Sequence, residues 1–208
     1  PTTTAVCKVY LDKSKGNDQR KRESDALLKL SHFPNVPTVH PFAPVRSACG
    51  RSILIKTPVG KDIPTSVRLP VSAYADIVGT LKYSHENNLF HNDIAPHNLF
   101  GFYHGGEQVA LLNDFGSATT HEEIQTLAQI ASRPLYYSSF GAAADLSALV
   151  RSVFVLTQQT FSLDGMDTAQ QLDVVMRSQL HFWENAMDLA SEVNYDQLQN
   201  LLQNGGRL

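Results

Sequence analysis

The stretch HNDIAPHNLF, residues 91–100, sets His91, Asp93 and Asn98 at fixed offsets, and LLNDFGSA follows with Asp114 ahead of Phe115 and Gly116. Asp93, Asn98 and Asp114 carry hard oxygen donors, which suit Mg²⁺ and not zinc. An Asp and an Asn five residues apart can face one cleft from a single loop. A second Asp, arriving at the end of a strand, completes a site for a metal-bound phosphate. Phosphoryl transfer needs such a set: ligands for an ion that neutralises phosphate charge, and a carboxylate that orients the attacking hydroxyl. The H-x-D-x-x-x-x-N, the D-F-G and the distance between them agree together, so the reading does not hang on one short match.

Positioning these residues falls to a chain that reads as strands with one helix, then mostly helices. AVCKVYL (5–11) and RSILIK (51–56) have the apolar, β-branched character of strands. Between them the basic run KSKGNDQRKRE reads as a solvated loop leading into a helix over 22–30, which the prolines of HFPNVP end. TPVGKDIPTS is turn-rich and polar, the best linker candidate in the chain. A helix over 71–88 puts Val71, Tyr74, Ile77, Val78 and Leu81 on one face. QVALLNDF (108–115) is strand-like, and residues 143–156 are apolar enough for a buried helix. The spacing predicts one helix over 168–190, with Leu172, Val175, Met176, Leu180, Trp183, Met187 and Ala190 in one stripe. NYDQLQNLLQ predicts a short closing helix.

The 208 residues suffice for one large domain or one domain of two lobes, and 42% hydrophobic with 18% charged residues is ordinary for a soluble globular protein. No apolar run has the length of a membrane span, and the start lacks the charged and apolar regions of a signal peptide. Opening on Pro1, the chain reads as a fragment or processed form. Cys7 and Cys49 are too few for a disulfide framework or a zinc site and read as free thiols. Residues 1–70 hold 12 Lys/Arg against 5 Asp/Glu, a balance of +7, whereas residues 71–208 hold 5 against 15, a balance of −10. That switch suggests two lobes. No aromatics interleave the basic run, so nucleic acid is not expected as a partner.

The same residues resemble the protein-kinase-like family over residues 5–156. The resemblance implies an α+β, bilobal fold: a small, reduced, β-rich N-lobe (1–57), a hinge (58–62) and a mostly α-helical C-lobe (63–208). It implies that Lys8, in an A-V-C-K similar to V-A-I-K, reaches the phosphates of ATP and pairs with Glu23 on the next helix. Asp93 takes the position of the catalytic base, and Asn98 and Asp114 the positions that ligate Mg²⁺. Val6 and Phe100 would sandwich the adenine, and Thr57, Pro58, Val59 and Gly60 would meet its edge. Asp145, in DLSAL, would hold the catalytic loop by hydrogen bonds. The implied partners are ATP and a protein substrate, with no membrane, in an intracellular setting.

Departures from the family pattern are equally specific. No G-x-G-x-x-G precedes Lys8, Asn92 replaces the Arg of H-R-D, Ala95 stands where Ser/Thr kinases usually carry a Lys, His97 where tyrosine kinases carry an Arg, and no A-P-E follows. Asn92 removes the means of clasping an activating phosphate. The TPVG stretch, the minimal upper lobe and DLSALV most resemble small fungal and crinkler-type effector kinase domains, which would place the chain inside a host cell. Ser117, Thr119 and Thr120 are candidate autophosphorylation sites. Three functions stay open: a protein kinase, Ser/Thr before Tyr; a choline-kinase-like alcohol kinase, since H-N-D-x-x-x-x-N fits that pattern too; and a pseudokinase that binds nucleotide as a scaffold.

Overall fold

The computed structural model describes residues 5–11, 15–40, 51–57, 61–62, 69–104, 107–126, 136–137, 140–158, 163 and 165–205. Strand β1 (Val6–Val9) is followed by helix α1 (Lys15–Lys29), β2 (Thr38–Val39) and β3 (Ile53–Thr57). β3 lies between β1 and β2, antiparallel to both, with Lys8 opposite Leu54. Helix α1 begins at Lys15, so the basic run expected as a loop is helical from there on. Its Lys, Arg and Gln residues are good helix formers that carry no apolar period, and Asp18 in the first turn with Lys29 in the last suits the helix dipole. Glu23, Ala26, Leu27 and Leu30 recur at helical spacing and are buried against the sheet.

Asn35, in the segment where prolines end α1, ties this layer to the next. Its carbonyl accepts the Leu112 amide at 2.8 Å and its side-chain oxygen accepts the Thr80 hydroxyl at 2.8 Å. Strand β4 (Lys61–Asp62) occupies the last two residues of the stretch expected as a hinge and pairs with β5 (Leu99–His104). β5 pairs in turn with β6 (Glu107–Leu112), Phe100 standing opposite Leu111. Pro58, Val59 and Gly60 lie outside the described residues, as does Cys49. Cys7 is an exposed free thiol.

The remaining described elements are helical. A 3-10 turn, Val71–Tyr74, leads into α2 (Ala75–Glu86), and the five apolar residues expected on its face are all buried. α3 (His121–Thr126) is short, and α4 (Ala142–Thr157) is buried along most of its length. α5 (Ala169–Gln179) and α6 (His181–Ser191) pack against it, and α7 (Tyr195–Asn204) packs against α2 and α6. The single helix expected over 168–190 is two, because Leu180 is extended (φ −154°, ψ 142°) and half exposed. Each half buries its own stripe: Leu172 and Met176 on α5; Trp183, Ala186, Met187 and Ala190 on α6. The bend lets α6 turn Trp183 edge-on to Phe154 of α4, ring centroids 5.3 Å apart. α5 is held to α4 separately, by Arg151 donating from Nε and Nη2 to the two oxygens of Asp173. Among the described residues no helix is long and apolar enough to cross a membrane.

Candidate active site

Strand alternation puts Val6 and Lys8 on the same side of β1. Lys8 Nζ donates to Glu23 Oε2 of α1 at 2.7 Å and to Asp114 Oδ1, just beyond β6, at 2.5 Å. One ammonium thus joins three segments far apart in the chain. Burial alone would push Lys8 down, but the two carboxylates outweigh it and hold its pKa above the usual lysine value. Burial likewise pushes Asp114 up, and Lys8 together with the Gly116 amide brings it below the usual carboxylate range.

Asp114 has φ +63°, a left-handed conformation that Asp tolerates because its short side chain bonds locally. That bond is from Gly116 N to Asp114 Oδ1, 3.3 Å. A Cβ at Gly116 would stand 3.1 Å from Asp114 Oδ1 and 3.7 Å from both Glu23 Oε2 and Lys8 Nζ, so the glycine leaves room for the ionic cluster. Phe115 is buried in the core and meets the His91 ring at 4.5 Å.

The loop before β5 carries the other half of the site. Asn98 Nδ2 donates to the Asp93 carbonyl at 2.8 Å and to Asp93 Oδ2 at 3.3 Å. With its nitrogen turned to Asp93, the Asn98 oxygen is the atom that can ligate a cation. The loop hangs on Asp145 of α4, which has no solvent exposure. Asp145 accepts the amides of His91 at 2.7 Å and Asn92 at 2.9 Å, the contacts the resemblance implied. It also takes the Tyr137 hydroxyl at 2.7 Å and faces His85 Nε2 at 3.0 Å. Burial pushes the Asp145 carboxyl up, but His85, His91 and Tyr137 hold it below its usual value.

His91 is a packed loop support: its Nδ1 accepts the Asp93 amide at 3.2 Å and its Nε2 donates to the Asn113 carbonyl at 3.1 Å. Complete burial lowers its pKa and keeps it neutral, which fits this pattern of one acceptor and one donor. Asn92, at φ +58°, donates from Nδ2 to the Thr119 hydroxyl at 2.6 Å. Thr119 is therefore buried and engaged, unlike the exposed hydroxyl expected of an autophosphorylation site, while Ser117 is exposed. Thr120 caps the start of α3 through Glu123.

Thr57 ends β3 and Phe100 lies on β5, both partly exposed. Three residues of the cluster escaped sequence reasoning. Lys56 Nζ is 2.5 Å from Glu23 Oε1 and 2.5 Å from Asn113 Oδ1, and the Tyr10 hydroxyl donates to Glu23 Oε2 at 2.6 Å. Each belongs to a run that reads as apolar strand, where a lysine or tyrosine gives no signal of its partner. Asp114 and Asn98 suit Mg²⁺, which takes one or two carboxylate-type ligands and completes its shell with phosphate and water. Among the described residues no group of three or more His, Cys, Asp or Glu could hold a metal by itself.

No profile of a known protein family matches the chain. It is 31% identical over 143 residues to the serine/threonine-protein kinase PEPKR2 of Arabidopsis thaliana, covering 64% of this chain and 28% of that protein. It is 25% identical over 198 residues to CBL-interacting serine/threonine-protein kinase 7 of the same plant, covering 85% of this chain and 44% of that protein. The chain thus spans less than half the length of these relatives. The structure of the Cydia pomonella granulovirus kinase PK-1 matches with a TM-score of 0.66 at 19% identity, over 97% of this chain and 86% of that one. The chain has a protein-kinase-like fold, α+β, with a small strand-containing layer at its N-terminal end.

Proposed function

We propose that this chain is an ATP- and Mg²⁺-dependent phosphotransferase that moves the γ-phosphate to a protein hydroxyl, Ser or Thr before Tyr. The observation that carries the reading is Lys8 bridging Glu23 and Asp114, 15 and 106 residues away, within one cluster. Both curated relatives named above are serine/threonine kinases, which favours that hydroxyl class.

In this reading Asp114 and the Asn98 oxygen hold the ion, which when bound neutralises charge on the phosphates. Lys8 binds the nucleotide's phosphates. Val6 and Phe100 cover the adenine, and Thr57 meets its edge. Asp93 orients the acceptor hydroxyl and takes its proton as the hydroxyl oxygen bonds to the γ-phosphorus. The bond from that phosphorus to the β–γ bridging oxygen breaks, and its electron pair leaves with ADP. Asp145, through the His91 and Asn92 amides, fixes the backbone on which Asp93 stands.

Transfer of labelled γ-phosphate from ATP with Mg²⁺, read by mass spectrometry on the chain itself and on generic protein substrates, tests this. Label on Ser or Thr supports it. Label on choline-like alcohols alone would favour an alcohol kinase, and nucleotide binding without any transfer would favour a scaffold.

A further inference from the structure

Lys56 projects from β3 one residue before Thr57 and is 3% exposed. A buried ammonium is costly unless it is paired and hydrogen-bonded. This one is both: it bonds Glu23 Oε1 on α1 and Asn113 Oδ1, the residue before Asp114. Lys8 and Tyr10 share the other Glu23 oxygen. The side chain of Lys56 is 4% exposed against 27% for that of Lys8, so of the two cations on Glu23 it is the enclosed one.

The difference matters because the two lysines are placed for different tasks. Lys8 also touches Asp114 at the open side, and a phosphate arriving there would draw it away from Glu23. Glu23, with no exposure, would then rely on whatever cation remains. We propose that Lys56 is a positioning residue: it, and not Lys8, clamps α1, β3 and the Asn113–Asp114 segment into one preassembled unit, leaving Lys8 free for a phosphate. The release of Lys8 rests on the phosphotransfer reading; the clamp itself does not. Burial pushes the Glu23 carboxyl up, and Lys56 ahead of Lys8 pulls it below its usual value, in keeping with this division. The link from Asn92 to Thr119 is also made without a phosphate, so the loop and the segment after Asp114 are joined in the unmodified chain.

The test is amide hydrogen exchange across α1 in the nucleotide-free full chain, comparing the parent with Lys8→Met, Lys56→Met and Lys56→Gln. Local opening sets these rates, so Lys56→Met and Lys56→Gln should speed α1 exchange about tenfold or more while Lys8→Met changes it less than about threefold. Equal loosening by Lys8→Met and the Lys56 variants, or loosening by Lys8→Met alone, would overturn the clamp. A folded Lys8→Met beside unfolded Lys56 variants would be the same asymmetry at its extreme.

A second background separates charge from packing. With Glu23→Gln, which leaves no carboxylate to pair, Lys56→Met should change α1 exchange less than about threefold. Loosening as large as in the parent background would reduce Lys56 to packing and sink the proposal. Calorimetry of Mg²⁺-ATP together with labelled-phosphate transfer on the same parent sample reports the phosphotransfer reading separately, since a failure of either would leave the α1 comparison intact.

Discussion

Lys8 Nζ stands 2.5 Å from Asp114 Oδ1, although 106 residues separate them. The carboxylate proposed to ligate a metal ion is thus held by a lysine proposed to bind phosphate. Both groups can change partners together when a metal-bound triphosphate enters. An uncomplexed triphosphate would meet the charges of Asp114 and its neighbour Glu23 with no metal ion to offset them.

ATP with Mg²⁺ should therefore stabilise the chain, and ATP with a chelator should not. At a ligand concentration about 100 times Kd, mass action contributes about 2.7 kcal/mol, enough for a clear thermal shift. Equal shifts with and without Mg²⁺ would count against Asp114 and Asn98 as ligands.

Chemistry and binding should separate at the two aspartates. Asp93→Asn should keep Mg²⁺-ATP affinity close to the parent value while transfer falls by about 10²–10⁴, the usual contribution of a positioned acid–base group. Asp114→Asn should damage both. Calorimetry and labelled-phosphate transfer give the two quantities for each variant. A parallel loss in both would mean that Asp93 also serves nucleotide binding.

Gly116→Ala places a methyl 3.1 Å from Asp114 Oδ1, so Asp114 must yield by a few tenths of an ångström. Small misplacement at a reacting centre is expensive, and transfer should fall by about tenfold or more with the melting temperature nearly unchanged. Unaltered transfer would show that the cluster has slack there.

Asp145→Ala leaves the His91 and Asn92 amides, the Tyr137 hydroxyl and His85 without their buried acceptor. Removing one side of such a buried network should cost about 3–5 kcal/mol in urea denaturation. A loss below about 1 kcal/mol, the net value of a single ordinary hydrogen bond, would mean that water or another group replaces the carboxylate.

Acid should act through His91 first. Its folded pKa is lowered by burial, so the unfolded chain binds the proton more readily. The stability that neutral His91 contributes is complete above its unfolded value of about 6.5 and is lost as pH falls toward the folded value. Glu23, Asp114 and Asp145 are also held low, but their contribution persists until pH drops below about 4. Between pH 6.5 and 5, His91→Gln should flatten the pH dependence of unfolding free energy by up to about 1.4 kcal/mol per pH unit. Parallel slopes in parent and variant would assign the acid sensitivity to another histidine.

Local spacing put the proposed chemistry-bearing positions close together. Asp93 and Asn98 lie five apart on one loop, a separation that permits their contact, and the loop backbone held by Asp145 makes it. Helix α2 was equally legible, because an amphipathic period writes its buried face into the residue order. The motif residues Lys8, Glu23 and Asp114 were legible as types, while their meeting at one ammonium depends on how α1 lies across β1 and β3 and on where β6 ends.

Only tertiary structure decided the rest, and the physical reason is that packing energies between distant segments leave no mark on local order. The polar run before residue 22 has helix propensity without an apolar period, and α1 forms there because its later turns bury Ala26, Leu27 and Leu30. The stripe through Leu180 continues unbroken in the sequence, yet the chain bends there so that α5 and α6 each meet α4 separately. Lys56 reads as one polar residue in a strand; that it is buried, and on what, follows from α1 and the Asn113 segment closing over it. A buried charge is tolerated only where distant partners converge, so its burial was decided by the folded chain and not by its neighbours in sequence.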